Sequence, residues 1–304
     1  MRSERPRRTG SRTGGGIGAV GGIVLAVTVT AIAGCGATGS RDSGPRGGVA
    51  APPVAGGGAA GAPQAAAGGA TPAGVPDPAT ARSGKSPLAG KVIVIDPGHN
   101  GGDAKHPEVV NKLVDVITER KPCDSTGTEA PSGYAEHAFN WDVANRLVKL
   151  LRARGAKVYL TRTSDTGVGP CITERAAIGN RHKADAALSI HADGAPKGDH
   201  GFHIIEPAPI KGHNEQIVPA SKRLGLALRD AYHDGTGIPY SNYRGKKAID
   251  VRDDLGGLNL STRPKVFIEC GNMQNRGDEA KMGSASFRER IARSLADGFA
   301  AYFS

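Results

Sequence analysis

The sequence predicts an α/β fold in which a mainly parallel sheet is covered by helices on both faces. Two observations carry this. Short apolar runs bounded by turn formers recur along the chain, as buried strands do. Stretches with three- and four-residue apolar spacing alternate with them, the order that builds a parallel sheet with crossover helices.

Strand signals fall at Val92–Ile95, Lys157–Thr161, Ala186–Ile190, Gly201–Ile205 and Lys265–Glu269. Helical spacing runs from Glu136 through Phe139, Val143, Leu147 and Leu150 to a stop at Gly155. A shorter helix is predicted over Ile172–His182. A third runs through Ser221, Leu224, Leu228 and Ala231, and a fourth through Phe287, Ile291, Leu295 and Phe299. Two long segments, Asn100–Gly133 and Gly237–Pro264, read as irregular, and connections of that length are usually functional. Within the first, Val109–Arg120 fits a helix through Val110, Leu113, Val114 and Ile117, a candidate lid.

Length and composition divide the 304 residues. From Gly36 to Pro87 the chain is mostly Gly, Ala, Pro, Ser and Thr without an aromatic residue, too little apolar surface to offset ordering entropy. Residues 35–87 are therefore expected to be a disordered linker, with a root-mean-square reach of roughly 40 Å as a flexible coil. Residues 88–304 suffice for one domain with a full core. Of the net charge of +10, part sits in Arg2, Arg5, Arg7, Arg8 and Arg12. The rest forms no long basic run interleaved with aromatics, so nucleic-acid binding has little support.

The Arg-rich start, the apolar stretch Ile17–Ala33 and the small residues after it describe an export signal over residues 1–34. Its end, Ile32-Ala33-Gly34-Cys35, resembles the bacterial lipobox, which implies acylation of Cys35 and a membrane-anchored lipoprotein facing the cell wall. A plain secretory or periplasmic protein is the alternative. Export also permits disulfides. With Cys35 acylated, Cys123, Cys171 and Cys270 allow three pairings. Cys270 follows a strand and reads as a small buried hydrophobe. Cys123 and Cys171 lie in polar, Gly/Pro-flanked loops, which favours their pairing over two reduced thiols.

Three strands run into residues that bind metal or move protons. Val92–Ile95 leads to Asp96-Pro97-Gly98-His99, Ala186–Ile190 to His191, and Val266–Ile268 to Glu269. In open α/β sheets ligands bind beyond the carboxyl ends of strands. Either histidine alone reads as a turn or capping residue; together they suggest a single-metal site. Glu269 is the least explicable as structure, since a glutamate is rarely buried without a partner or a task. Glu136 opens its helix, where an acidic residue also suits the dipole. His137 competes with it but points about 100° away on a helix.

Together these segments resemble the zinc-dependent N-acetylmuramoyl-L-alanine amidases that hydrolyse peptidoglycan. The quoted pieces are Val94-Ile95-Asp96-Pro97-Gly98-His99, Glu136 ahead of Asn140 and Asn145, Ser189-Ile190-His191-Ala192-Asp193, and Phe267-Ile268-Glu269-Cys270-Gly271-Asn272. Weaker matches are Leu160-Thr161-Arg162, Glu174-Arg175 with Ala177 and Asn180, and Asn275. The resemblance spans Lys91–Ser304. It implies a six-stranded α/β domain, one zinc held by His99, Glu136 and His191, and Glu269 as catalytic acid/base. The bond cut would join the lactyl group of N-acetylmuramic acid to L-alanine, in peptidoglycan or a muropeptide. The enlarged segment after His99, with Cys123 inside it, resembles the actinobacterial branch, which implies a Cys123–Cys171 disulfide and allows the insert to act as a flap. We expect a monomer. Competing readings are a zinc carboxypeptidase or deacetylase on the same polymer, or a non-catalytic domain that binds wall peptides.

Overall fold

The computed structural model describes residues 86–304. The export signal, Cys35 and all but the last two residues of the expected linker lie outside the described residues. Six strands make one sheet: β1 (Val92–Pro97), β4 (Lys157–Leu160), β5 (Ala186–Asp193), β6 (His203–Pro207), β7 (Ile249–Arg252) and β8 (Lys265–Asn272). Between β1 and β4 a two-stranded ribbon pairs β2 (Leu113–Asp115) with β3 (Arg120–Pro122). The sheet order is β4-β1-β5-β8-β6-β7. Strands β4, β1, β5 and β8 are parallel, while β6 runs antiparallel to β8 and carries β7 parallel to itself.

Seven helices complete the domain: α1 (Pro107–Val110), α2 (Glu136–Ala153), α3 (Ile172–Arg181), α4 (Val218–Thr236), α5 (Gly256–Asn259), α6 (Arg276–Gly283) and α7 (Ala285–Phe303). Helices α2, α4 and α7 pack together over one face of the sheet, and α3 and α5 lie on the other. No described helix is long and apolar enough to cross a membrane.

The two faces are unequal, and strand periodicity explains why. Side chains alternate across a strand. Leu188, Ile190 and Ala192 of β5 and Val266, Ile268 and Cys270 of β8 enter the main core under α2, α4 and α7. Their alternates, Ser189, His191, Lys265, Phe267 and Glu269, therefore share the opposite face. There the apolar cluster is small: Val94, Ala184 and Ala187 with Ile178 of α3. Cys270 is free and buried, as expected.

Several expectations are corrected. Strands β5 and β8 each run three residues past their predicted ends, so His191 and Glu269 lie within strands, in register with each other. The helix expected over Val109–Arg120 is instead one turn, α1, followed by the β2–β3 ribbon. Six β-branched residues crowd this stretch and favour extended backbone. Asp115 Oδ1 accepts from Ile117 N at 2.7 Å, closing the turn. The Gly237–Pro264 segment is not irregular throughout, since it contains β7 and α5; β7 has four residues, and one of them, Val251, is 57% exposed. Helix α6 gave no periodic signal because it buries only Asp278 and Met282; it is set by Asn275, whose side chain accepts from Gly277 N and Asp278 N.

One core position carries a pH-dependent cost. Glu206 of β6 is buried at 4% exposure against α4, close enough that a Cβ on Gly225 would sit 2.5 Å from its Oε1. That oxygen has no hydrogen-bond partner. Burial raises its pKa from 4.5 to about 7, against the pull of Lys222 and Arg229. The folded state thus binds this proton more tightly than the unfolded chain, and stability falls as pH rises from about 4.5 through 7. Glu206→Gln is expected to be neutral near pH 4 and stabilising by about 1–3 kcal/mol at pH 8, measured by denaturant unfolding at the two pH values.

Candidate metal and catalytic centre

The site begins with a turn. After β1 the chain makes Gly98 and then His99, whose φ of 56° lies in the left-handed region, uncommon for a residue with a Cβ. Buried donors hold this backbone. Arg162 Nε and Arg175 Nη1 both donate to Pro97 O, at 3.0 and 2.9 Å. Arg175 Nη2 donates to His99 O at 3.2 Å, Asn140 Nδ2 to Gly98 O at 3.2 Å, and Gly98 N to Ile190 O at 3.0 Å. Gly98 is obligatory here, since a Cβ would overlap the His191 ring.

The turn aims His99 at two other donors. His99 Nδ1 lies 2.8 Å from Ser125 O, which can only accept, so Nδ1 carries the proton and Nε2 is left for the cavity. Asp124 Oδ1 stands 3.3 Å from the same Nδ1. Nε2 is 3.2 Å from Glu136 Oε1, and His191 Nδ1 is 3.0 Å from that oxygen. One donor atom from each of His99, Glu136 and His191 lies within 4.8 Å of the others. Glu136 Oε2 accepts from Thr128 N at 2.9 Å, so the carboxylate is fixed at both oxygens. Burial opposes its ionisation, but the two imidazoles outweigh that and hold it well below the ordinary glutamate value. Burial likewise opposes protonation of His99, and Glu136 and Asp124 reverse the outcome, raising its pKa. His137 turns away to Asp165, 2.9 Å distant.

Glu269 completes the cavity. It lines the same hollow, about 380 Å³, as His99, Glu136 and His191. Its Oε2 is buried without a partner. Burial, then the neighbouring Glu136 and Asp193 carboxylates, push its pKa well above the ordinary value. A half-buried carboxyl that meets a cavity, its pKa raised from the ordinary carboxylate range, is suited to taking up a proton and passing it on.

A family model described as N-acetylmuramoyl-L-alanine amidase matches residues 93–301. The chain belongs to the N-acetylmuramoyl-L-alanine amidase family. It is 37% identical over 230 residues to the N-acetylmuramoyl-L-alanine amidase Rv3717 of Mycobacterium tuberculosis, covering 76% of this chain and 93% of that one. Among solved structures, the Ami1 amidase of Mycobacterium abscessus superposes with TM-score 0.67 at 37% identity, over 71% of this chain and 100% of that one. The Mycobacterium smegmatis Ami1 gives 0.66 at 36%, over 71% and 98%. The actinobacterial branch fits, and the family is metal-dependent.

The disulfide expected from the sequence is present in the amidase site, whereas Asp124 and Ser125 were not legible there as functional. Cys123 and Cys171 form a disulfide across 48 positions, Cα atoms 4.6 Å apart. Asp124 and Ser125, next to Cys123, brace His99. Arg175, seen only as a weak motif match, joins Asp96, Asp124 and the turn; its side chain is 4% exposed. Asp96 accepts from Thr161, Arg175, Ser189 and Lys265. Burial opposes its charge, yet Lys265 and Arg175 keep it strongly acidic. The signal for Arg175 was an arginine on the inner stripe of α3, beside Ala176 and Gly179. Arg175→Met removes the buried cation shared by Asp96 and Asp124, so a loss of about 3–5 kcal/mol is expected, read as a lowered Tm in thermal unfolding; an unchanged Tm would contradict the network.

Proposed function

We propose that the chain is a zinc amidase, exported and held on the membrane by an acylated Cys35, that cleaves N-acetylmuramic acid from L-alanine in peptidoglycan or muropeptides. In this reading residues 1–34 are the signal, 35–87 a tether and 88–304 a catalytic domain acting as a monomer. The carrying observation is the convergence of His99, Glu136 and His191 beside the unpartnered Glu269 carboxyl.

The donor set fits zinc. Two imidazole nitrogens and one carboxylate oxygen are its usual catalytic ligands, leaving a fourth position open. Ligand atoms around tetrahedral zinc stand about 3.4 Å apart at bonds near 2.1 Å, close to the 3.0 and 3.2 Å found between Glu136 Oε1 and the histidines. Zinc, when bound, polarises the scissile carbonyl and acidifies water. His99, with Nδ1–H committed to Ser125 O, presents Nε2 in the right tautomer. Glu269 accepts a proton from the attacking water and returns it to the departing alanine amine. The burial that raises its pKa makes it a competent donor in the second step. Asp124 orients His99, as outer carboxylates commonly do for metal-bound imidazoles.

Native protein should carry about one zinc per chain by metal analysis, and a count far below that defeats the ligand assignment. Glu269→Gln should retain zinc but lose release of stem peptide from muropeptides, followed by mass spectrometry of the products; the product masses also separate amidase from peptidase and deacetylase. Gly98→Ala should displace His191 and weaken zinc binding about 10–100-fold, read by competition with a chelator.

A further inference from the structure

Glu269 sits in a row of three across the sheet. Its partner on β5 is His191, and its partner on β6 is His203. Directly opposed residues of an antiparallel pair project from the same face with Cβ atoms about 5 Å apart. His203 therefore stands beside the Glu269 carboxyl, on the side away from the metal ligands. It is 2% exposed, and its Nδ1 has no hydrogen-bond partner among the described residues. Glu269 Oε2 is the same. Asp250 of β7, opposed to Ile205 of β6 on this face, adds a third unpartnered atom, Oδ2.

A buried imidazole with an idle nitrogen is costly wherever a phenyl ring would pack as well. Two complementary idle atoms on adjacent strands remove that cost when one water serves both. The imidazole is faced by Asp193 and Asp250, with Arg244 and Arg252 opposing their pull, and its ring meets Tyr243 edge-on at 5.9 Å. Tyr243 in turn donates to Asp193 Oδ2 at 3.0 Å. Burial dominates this balance and lowers His203 to a pKa of about 4. It stays neutral, able to donate from one nitrogen and accept at the other.

We propose that His203 is a positioning residue for Glu269, holding Oε2 through one shared ordered water so that Oε1 faces the attacking water. No proton is consumed or released by His203 in this role. It restrains the carboxylate rotamer, and the acid/base step itself stays with Glu269. The inference rests on the assignment of Glu269 as acid/base.

Three variants test it on a muropeptide: His203→Phe, His203→Asn and Glu269→Gln, with zinc content and Tm recorded for each. His203→Phe keeps ring volume without nitrogen and should lower kcat about 10–100-fold, with KM, zinc and Tm near those of the parent. His203→Asn restores a polar atom near Nδ1 and should recover most of the loss. A His203→Phe enzyme with parental kcat, or an Asn variant as slow as the Phe variant, overturns the proposal. Full activity in Glu269→Gln would instead remove the Glu269 assignment. A crystal structure of the parent should show a water within hydrogen-bond distance of His203 Nδ1 and the Glu269 carboxylate; a dry gap there overturns the proposal without any assay.

Discussion

Two buried guanidinium groups hold the Pro97–His99 backbone, and the centre depends on them. A left-handed histidine after a Pro-Gly turn does not hold itself in place, because its conformation is sparsely populated. Arg162 and Arg175 meet at Pro97 O, and Arg175 continues to His99 O. Guanidinium suits this task better than ammonium, since its planar fork spans several acceptors at once. The charge is then matched by carboxylates: Asp165 for Arg162, Asp96 and Asp124 for Arg175. Asp124 also reaches His99 Nδ1. The same ions that fix the turn therefore fix the ring it carries.

The sheet supplies the other half of the constraint. One face is given to an apolar core under three long helices, so its strands are rigid. Period-two alternation then places Ser189, His191, Lys265, Phe267 and Glu269 on the second face, where only two short helices cover them. Phe267 stacks parallel to the His191 ring at 5.3 Å, and Gly98 approaches it where any Cβ would collide. His191 is thus held by packing together with its contact to Glu136, while His99 is held by hydrogen bonds. Glu136 arrives from a third direction. It opens α2, and its helix enters the main core through Phe139, Val143 and Leu147. Each donor is seated by a different part of the core, so their separations are set by the whole domain.

The legible parts of this design were those written in local patterns. Five of the six sheet strands and the four longest helices announced themselves through apolar runs and a 3.6 period, and His99, His191 and Glu269 through their place after apolar runs. Glu136 needed the family resemblance, because an acidic first helical residue has an ordinary explanation in the dipole. Strand β7 has no fully buried residue and helix α6 buries only Asp278 and Met282, so both gain their order from tertiary contacts and from Asn275. The β2–β3 ribbon was misread because Val110, Leu113, Val114 and Ile117 happen to fit helical spacing. Its form is set by contacts far along the chain: Asn259 donates to Val116 O, Thr118 to Asp253 O, and Lys121 to Asp254. His203 looked like any strand residue, since pairing across β6 and β8 is invisible without the strand order.

The Cys123–Cys171 bond brings these layers together. It joins the residue before Asp124 to the residue that precedes α3, and Ile172 N donates to Cys123 O beside it at 2.8 Å. Four residues along α3 stands Arg175. The crosslink therefore ties the two segments whose side chains meet at Asp124 and brace His99. Closing a loop of this length removes unfolded-state freedom equivalent to about 4 kcal/mol in the chain-entropy model. That stabilisation acts on an insert whose apolar residues are divided: Leu113 is 48% exposed and Val109 39%, while Val110 and Val116 are buried. The covalent bond adds to the packing of Val110 and Val116, and the centre gains a wall that the sheet does not provide.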